Sequence, residues 1–185
     1  MSSDAPTLRA DAQRNRGLIL SAAEAVFLEQ GGNVALEDVA KRAGVGIGTL
    51  YRRFPTREAL LAATCSERFV LLAEASRARA AKLDAGSAVR AYLEDLVTNT
   101  SIYRSLAASL GTVLQHGTPG CNAINDEGKR LLRSAQDTGA IRQDVSFDDL
   151  VYVAIAIAFS VEQGSAPPSR ITHLVGLFFD GISVR

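Results

Sequence analysis

The sequence predicts an all-α protein of about nine helices. Three observations carry that prediction: apolar residues recur at spacings of three and four almost throughout, no convincing alternating strand appears, and the breaks between apolar stretches fall on glycine or proline. With 185 residues, 47% of them hydrophobic and only five prolines, the chain is long enough for one large globular domain or two small ones.

The polar first dozen residues read as a frayed arm rather than a packed element. The first helix places Leu18/Ile19, Ala22/Ala23 and Val26/Phe27 on one face and closes at Gly31-Gly32. A second, short helix fits Leu36 to Ala43 and a third fits Ile47 to Phe54. Pro55 and Thr56 mark a break, and a long fourth helix starts at Thr56 with Leu61, Cys65, Phe69 and Leu72 in one stripe.

Further helices are expected over 87–99, 101–115, 121–138, 147–163 and 169–183, separated by Gly86, the HGTPG segment, Gly139 and GSAPPS. Ser146 and Asp149 resemble a capping box opening the 147–163 helix. One organisational shift falls near Thr56, with short helices and basic residues before it and long apolar helices after it. The expected division is therefore 10–56 and 57–185.

Lys plus Arg and Asp plus Glu both total 20, so net charge gives no reason to expect a nucleic-acid partner. A local asymmetry does. Between Lys41 and Arg57 lie five basic residues, Lys41, Arg42, Arg52, Arg53 and Arg57, and no acid.

The two cysteines, Cys65 and Cys121, stand alone, which argues against a zinc site and against a disulfide framework. No cofactor or metal is implied. The polar N-terminus is unlike a signal peptide, and the longest apolar run, Leu150 to Val161, falls short of the ~20 residues that span a bilayer. A soluble protein of the reducing cytoplasm is expected, with no membrane partner.

The basic stretch, LEDVAKRAGVGIGTLYRRFPTREAL from Leu36 to Leu60, has the helix-turn-helix pattern. Small Ala40 lets two helices approach, and Gly44 ends the first in a left-handed conformation that costs glycine little. At about 100° per residue, Leu50 and Phe54 define the buried side of the third helix with Ile47 at its margin. Gly48, Thr49 and Arg52 face the opposite way, flanked by Tyr51 and Arg53. Arg52 suits bidentate bonding to guanine, the Thr49 methyl suits a thymine methyl, and Gly48 removes a side chain from a surface entering a groove about 12 Å wide. Arg57, in the first turn of the fourth helix, joins free backbone N–H groups at a site suited to phosphate.

GVGIGTLYRRFPTREAL resembles the tetracycline-repressor (TetR) family of one-component bacterial regulators, whose G-V-x-x-G-T-L-Y-x-x-F-x-x-[KR]-E-x-L signature it matches nearly throughout. The resemblance extends back over AEAVFLEQGGNVALEDVA and covers roughly residues 10 to 61. Ala35 stands where the family usually has a capping Thr, Gly46 where it usually has Ser, and Arg53 where it commonly has His. The resemblance implies a C-terminal ligand-binding and dimerisation domain, a homodimer that represses from a palindromic double-stranded DNA operator, and a small-molecule inducer that releases it.

Two late stripes independently favour dimerisation: Leu150, Val153, Ile157 and Val161, then Ile171, Leu174, Phe178 and Ile182. The interface is expected to include Val153, Ile157, Leu174 and Phe178. For the inducer, Leu72, Leu93, Leu96, Val97, Leu110, Val113 and Leu114 suggest a largely apolar pocket, with Tyr103, Arg104 or His116 supplying polar contacts. Asn122, Asn125 and Tyr152 are further polar candidates. The expected ligand is uncharged or weakly anionic and partly apolar.

Plainer readings stand beside these. Arg9, Arg14 and Arg16 fit an ordinary charged helix start as well as a minor-groove arm. Cys65 fits a small core hydrophobe, while Cys121, beside a helix start, is the better placed of the two thiols to react. A helical interaction module or a small helical enzyme without DNA binding would also be all-α, but no nucleophile–base pair or metal cluster is visible, so no catalytic residue is assigned.

Overall fold

The computed structural model describes residues 4–31, 33–103, 106–164, 167 and 169–184. Nine α-helices lie among them: α1 (Asp4–Gln30), α2 (Leu36–Ala43), α3 (Ile47–Arg53), α4 (Arg57–Ala80), α5 (Ala85–Ser101), α6 (Leu110–Leu114), α7 (Pro119–Asp137), α8 (Phe147–Gly164) and α9 (Ser169–Ile182). The fold is all-α, and the one β-bridge among the described residues pairs Ile141 with Ser183.

Local chemistry explains the boundaries. Thr56 caps α4 by accepting from the Ala59 N–H at 3.1 Å, Asp84 caps α5 through Ser87, and Thr118 caps α7 with Pro119 at its first position. The capping box of α8 forms as expected: the Asp149 N–H donates to Ser146 Oγ at 3.1 Å, and the Ser146 N–H donates back to Asp149 Oδ2 at 2.8 Å. Gly44 closes α2 at φ 68°, with its N–H on Lys41 O and the Val45 N–H on Ala40 O, the paired bonds of a Schellman turn.

Ala35 opens α2 without a side-chain cap. Ala35→Ser is therefore expected to raise stability by about 1 kcal/mol, read as a higher unfolding midpoint. An unchanged midpoint would mean that the 3.2 Å turn bond from the Asp38 N–H to Ala35 O already satisfies that end.

Two expectations need correction. The first dozen residues were expected as a frayed arm rather than a packed element, but α1 is helical from Asp4, because nothing from Leu8 to Arg16 breaks a helix and Ala, Arg and Gln favour one. Arg14 and Arg16 are exposed on that helix, more than two turns past its start, while the Arg9 side chain lies outside the described residues. The single helix expected over 101–115 is instead the end of α5, a 3₁₀ turn at Ala107–Ser109, and the short α6. Tyr103 is drawn inward there, with its hydroxyl donating to Glu24 Oε1 of α1 at 3.3 Å and the Arg68 guanidinium of α4 lying 5.6 Å from its ring centre.

One core runs the length of the molecule. Ile19, Ala23, Val26 and Phe27 of α1 meet Val39, Leu50 and Phe54 at one end, and Leu93, Leu96, Val97, Leu110 and Val113 fill the other. The long α4 connects them and packs closely on α7, where a Cβ at Gly120 would sit 2.2 Å from Ser66 O. The Gly120 N–H donates to Ser66 Oγ at 3.0 Å.

Glu127 of α7 crosses the same contact. Its carboxylate is fully buried, yet it accepts from Arg130 at 2.7 and 2.8 Å, from Arg77 of α4 at 3.2 Å and from Ser76 of α4 at 3.4 Å. Burial opposes its charge, but the Arg130 and Arg77 guanidiniums outweigh burial and hold the carboxyl below the usual glutamate range. A buried carboxylate so satisfied pins α7 to α4 in one register.

Candidate nucleic-acid interface and effector cleft

The α2–turn–α3 unit is held by its apolar side. Leu50 is completely buried and Phe54 nearly so, while Ile47 sits at the margin. That fixes what α3 shows to solvent: Gly48, Tyr51, Arg52 and Arg53 are exposed and Thr49 is half-buried. A Cβ at Gly48 would meet nothing within 4 Å, so the missing side chain leaves open space on the outer face. Arg57 follows at the start of α4, half-buried beside the Thr56 cap. The Tyr51 ring is 44% exposed, on the flank of the same face.

One of the five basic residues has an acidic partner on another helix. Arg42 of α2 makes a two-pronged bond to Glu29 of α1 at 2.5 and 2.8 Å. Glu29 is held below its ordinary carboxylate range by that bond and is fully charged at neutral pH. Arg42 thus links α2 to α1. Nothing in sequence spacing reveals that pairing, because the partners lie on different helices.

Residues 19–64 match the family described as "Bacterial regulatory proteins, tetR family", and residues 84–184 match "Transcriptional regulator SbtR-like, C-terminal domain". The second match alone spans more than half of the chain. The chain belongs to the TetR family. It is a DNA-binding transcriptional regulator with a helix-turn-helix and a C-terminal helical domain.

The TetR transcriptional regulator SCO0520 from Streptomyces coelicolor is 31% identical, with 91% of this chain and 98% of that chain covered at a TM-score of 0.56. The regulator RolR, solved in complex with resorcinol, shares the fold at a TM-score of 0.67 and 19% identity, over 96% of this chain and 91% of that one. The HTH-type transcriptional regulator SAR0097 of Staphylococcus aureus is 40% identical over 63 residues. That match spans 32% of each protein, so about a third of that relative's length is represented here.

In the C-terminal portion of this TetR-family chain, the expected apolar pocket is a packed core. Leu93, Leu96, Val97, Leu110 and Val113 are completely buried against one another, and Leu72 nearly so. Space opens instead at one side, in a cleft of about 370 Å³ between α6, α7 and α8. Leu114 is the one residue of the predicted apolar set that borders it, and Asn122, Asn125 and Tyr152 border it too. Tyr103 is buried elsewhere, between α1 and α4, with its phenol pushed up to about 12 by that burial. His116 is exposed and does not border the cleft, and Arg104 lies outside the described residues. Sequence reading missed Lys129 and Asp148, which look like ordinary surface charges until α7 and α8 are brought together.

Both cysteines are buried. Burial pushes the Cys65 thiol up to about 12 and also raises Cys121, whose thiol donates to Val113 O at 3.2 Å inside the first turn of α7. Cys121 lies at a helix start as expected, but it is no more exposed to reaction than Cys65.

The outer faces of α8 and α9 carry large exposed apolar side chains among polar ones. Tyr152 is 69% exposed, Leu177 57% and Phe159 49%, while Val153, Leu174 and Phe178 are half-buried beside them. Ile157 belongs to the chain's own core. No helix among the described residues is long and apolar enough to cross a membrane.

Proposed function

We propose that the protein is a homodimeric repressor that binds a palindromic double-stranded DNA operator in the cytoplasm and is released from it by a small molecule. Residues 10–56 form the DNA-binding unit and 57–185 the ligand-binding and dimerisation unit. The observation that carries the reading is the outer face of α3: a helix seated on Leu50 and Phe54 offers Gly48, Tyr51, Arg52 and Arg53 outward, with Arg57 just behind. That is the arrangement a major groove requires. Arg52 reads a base, Thr49 meets a thymine methyl at the edge of the face, and Tyr51, Arg53 and Arg57 hold phosphates.

Dimerisation is supported by the α8–α9 face. Tyr152, Phe159 and Leu177 are exposed on these two helices, with Val153, Leu174 and Phe178 half-buried, a set of large apolar side chains that a partner subunit would cover. Ligand release is supported by α4, which starts beside the recognition helix and is clamped to α7 by Glu127, so the two units share a rigid element. RolR, of the same fold, has been solved with resorcinol, which favours a small-molecule effector here as well.

Paired substitutions test the base and phosphate roles. Arg52→Ala is expected to cost about 1 to 3 kcal/mol at the selected operator and to relax preference at one base pair. Arg57→Ala should weaken all sequences alike and reduce the slope of log K against log salt by about one unit. A uniform loss from Arg52→Ala would move that residue to the phosphates, and an unchanged salt slope for Arg57→Ala would remove Arg57 from them.

A further inference from the structure

We propose that Tyr103 is a positioning residue for operator recognition: through Glu24 it ties α1 of the reading head to the rest of the chain and so sets the spacing between the two heads of the dimer. The proposal rests on the homodimeric reading above and adds the residue that fixes its geometry. Leu50 and Phe54 of the recognition unit share a core with Ile19 and Phe27 of α1, so α3 moves with α1. Where α1 sits on the later helices therefore decides where the reading head sits.

Three side chains from three parts of the chain meet at one carboxylate oxygen. Glu24 Oε1 of α1 accepts from the Tyr103 hydroxyl at 3.3 Å and lies 3.6 Å from the Arg68 guanidinium of α4, and that guanidinium lies 5.6 Å from the Tyr103 ring centre. Tyr103 is buried while Glu24 and Arg68 are partly exposed, so the ring is the fixed member and the ion pair closes over it. The arrangement is kept at a cost, because Arg68 Nε is buried without a hydrogen-bond partner. A guanidinium held for surface stability alone would turn that edge to water.

The end of α5 just before Tyr103 is soft. Thr98, Asn99, Thr100 and Ser101 each bond the carbonyl four residues back, at 2.7 to 2.9 Å, and compete for it with the backbone N–H groups, a pattern that bends helices. A bendable helix end leaves the direction of Tyr103 to its partners on α1 and α4.

The test uses the full chain and the inverted repeat it selects from random double-stranded DNA, prepared as a series with base pairs added or removed between the half-sites, together with a single half-site. Tyr103→Phe keeps the ring beside Arg68 and removes only the hydroxyl. It is expected to bind the selected spacing roughly tenfold more weakly, the scale of one hydrogen bond to a charged group, with a flatter profile across spacings and unchanged affinity for the single half-site. Glu24→Ala, at a position about half exposed, leaves the ring in place and is expected to give the same profile. The double variant should lose no more than the worse single one, since both remove one contact. Those results support the assignment. An unchanged spacing profile in Tyr103→Phe, an equal loss at every spacing and at the half-site, or losses that add in the double variant each overturns it. The two readings fail separately: a parent protein that binds every spacing and the half-site alike refutes the homodimer and the proposal with it, whereas a sharp optimum shared by parent and Tyr103→Phe refutes Tyr103 alone.

Discussion

Leu177→Asp combined with Phe159→Asp is expected to convert a dimer into a monomer and to reduce operator binding by about 10² to 10⁴, the advantage that two linked reading heads have over one. Both side chains are about half exposed in the single chain, so their replacement opens no cavity and places the new carboxylates in water as long as the chain is alone. In a dimer the same carboxylates would be buried against apolar surface, which is costly. Light scattering should report the monomer mass while circular dichroism keeps its helical signal. A variant that stays dimeric would move the interface off the α8–α9 face. Ile157 is the wrong position for this test. It is buried in its own chain, and a charge there would unfold the core rather than separate the subunits.

Glu127→Ala is expected to cost about 3 kcal/mol of stability, since it removes charge-assisted bonds to Arg77 and Arg130 and leaves a void between α4 and α7. For a chain of this size that lowers the unfolding midpoint by roughly 6 to 12 °C. The cost stops short of that for a stranded buried charge because Arg77 and Arg130 are about half exposed and water can take over their guanidiniums. The pH dependence has a definite sign. A carboxyl held below its unfolded value stabilises the fold above that value, about 4.3 for Glu, and the stabilisation is lost as pH falls through the folded value. Glu127→Gln should therefore lose stability at neutral pH and show a flatter decline between neutrality and the acid range. An acid limb identical to that of the parent would show that Glu127 is not the group responsible.

The helix-turn-helix was legible because its signals are local. Ala40, Gly44, Leu50 and Phe54 act within one or two turns of each other, so spacing alone predicts the turn, the buried side and the outward face of α3. What required three dimensions came from other helices. Arg42 carries an ion pair to Glu29 that only the packing of α2 against α1 reveals. Tyr103 looked like a ligand contact until Glu24 and Arg68 were found around it. Glu127 left a trace that could have been read: it is an acid lying between Ile124 and Leu131 on the buried face of α7, where an unpaired charge would not be tolerated. The leucines expected to line a pocket share the ambiguity of every apolar stripe, since periodicity marks the inward side of a helix but not whether the space it faces is filled.

Selection of bound sequences from random double-stranded DNA by the intact protein, followed by footprinting of the winner, tests the central claim most directly. A dimeric reader built on α3 selects an inverted repeat whose half-sites lie about one helical turn, or a multiple of it, apart, protected symmetrically in the major groove. Arg52→Ala is expected to lose one specified position in both halves at once. Enrichment of a single unrepeated site, or of no sequence at all, would contradict a dimeric reader built on α3.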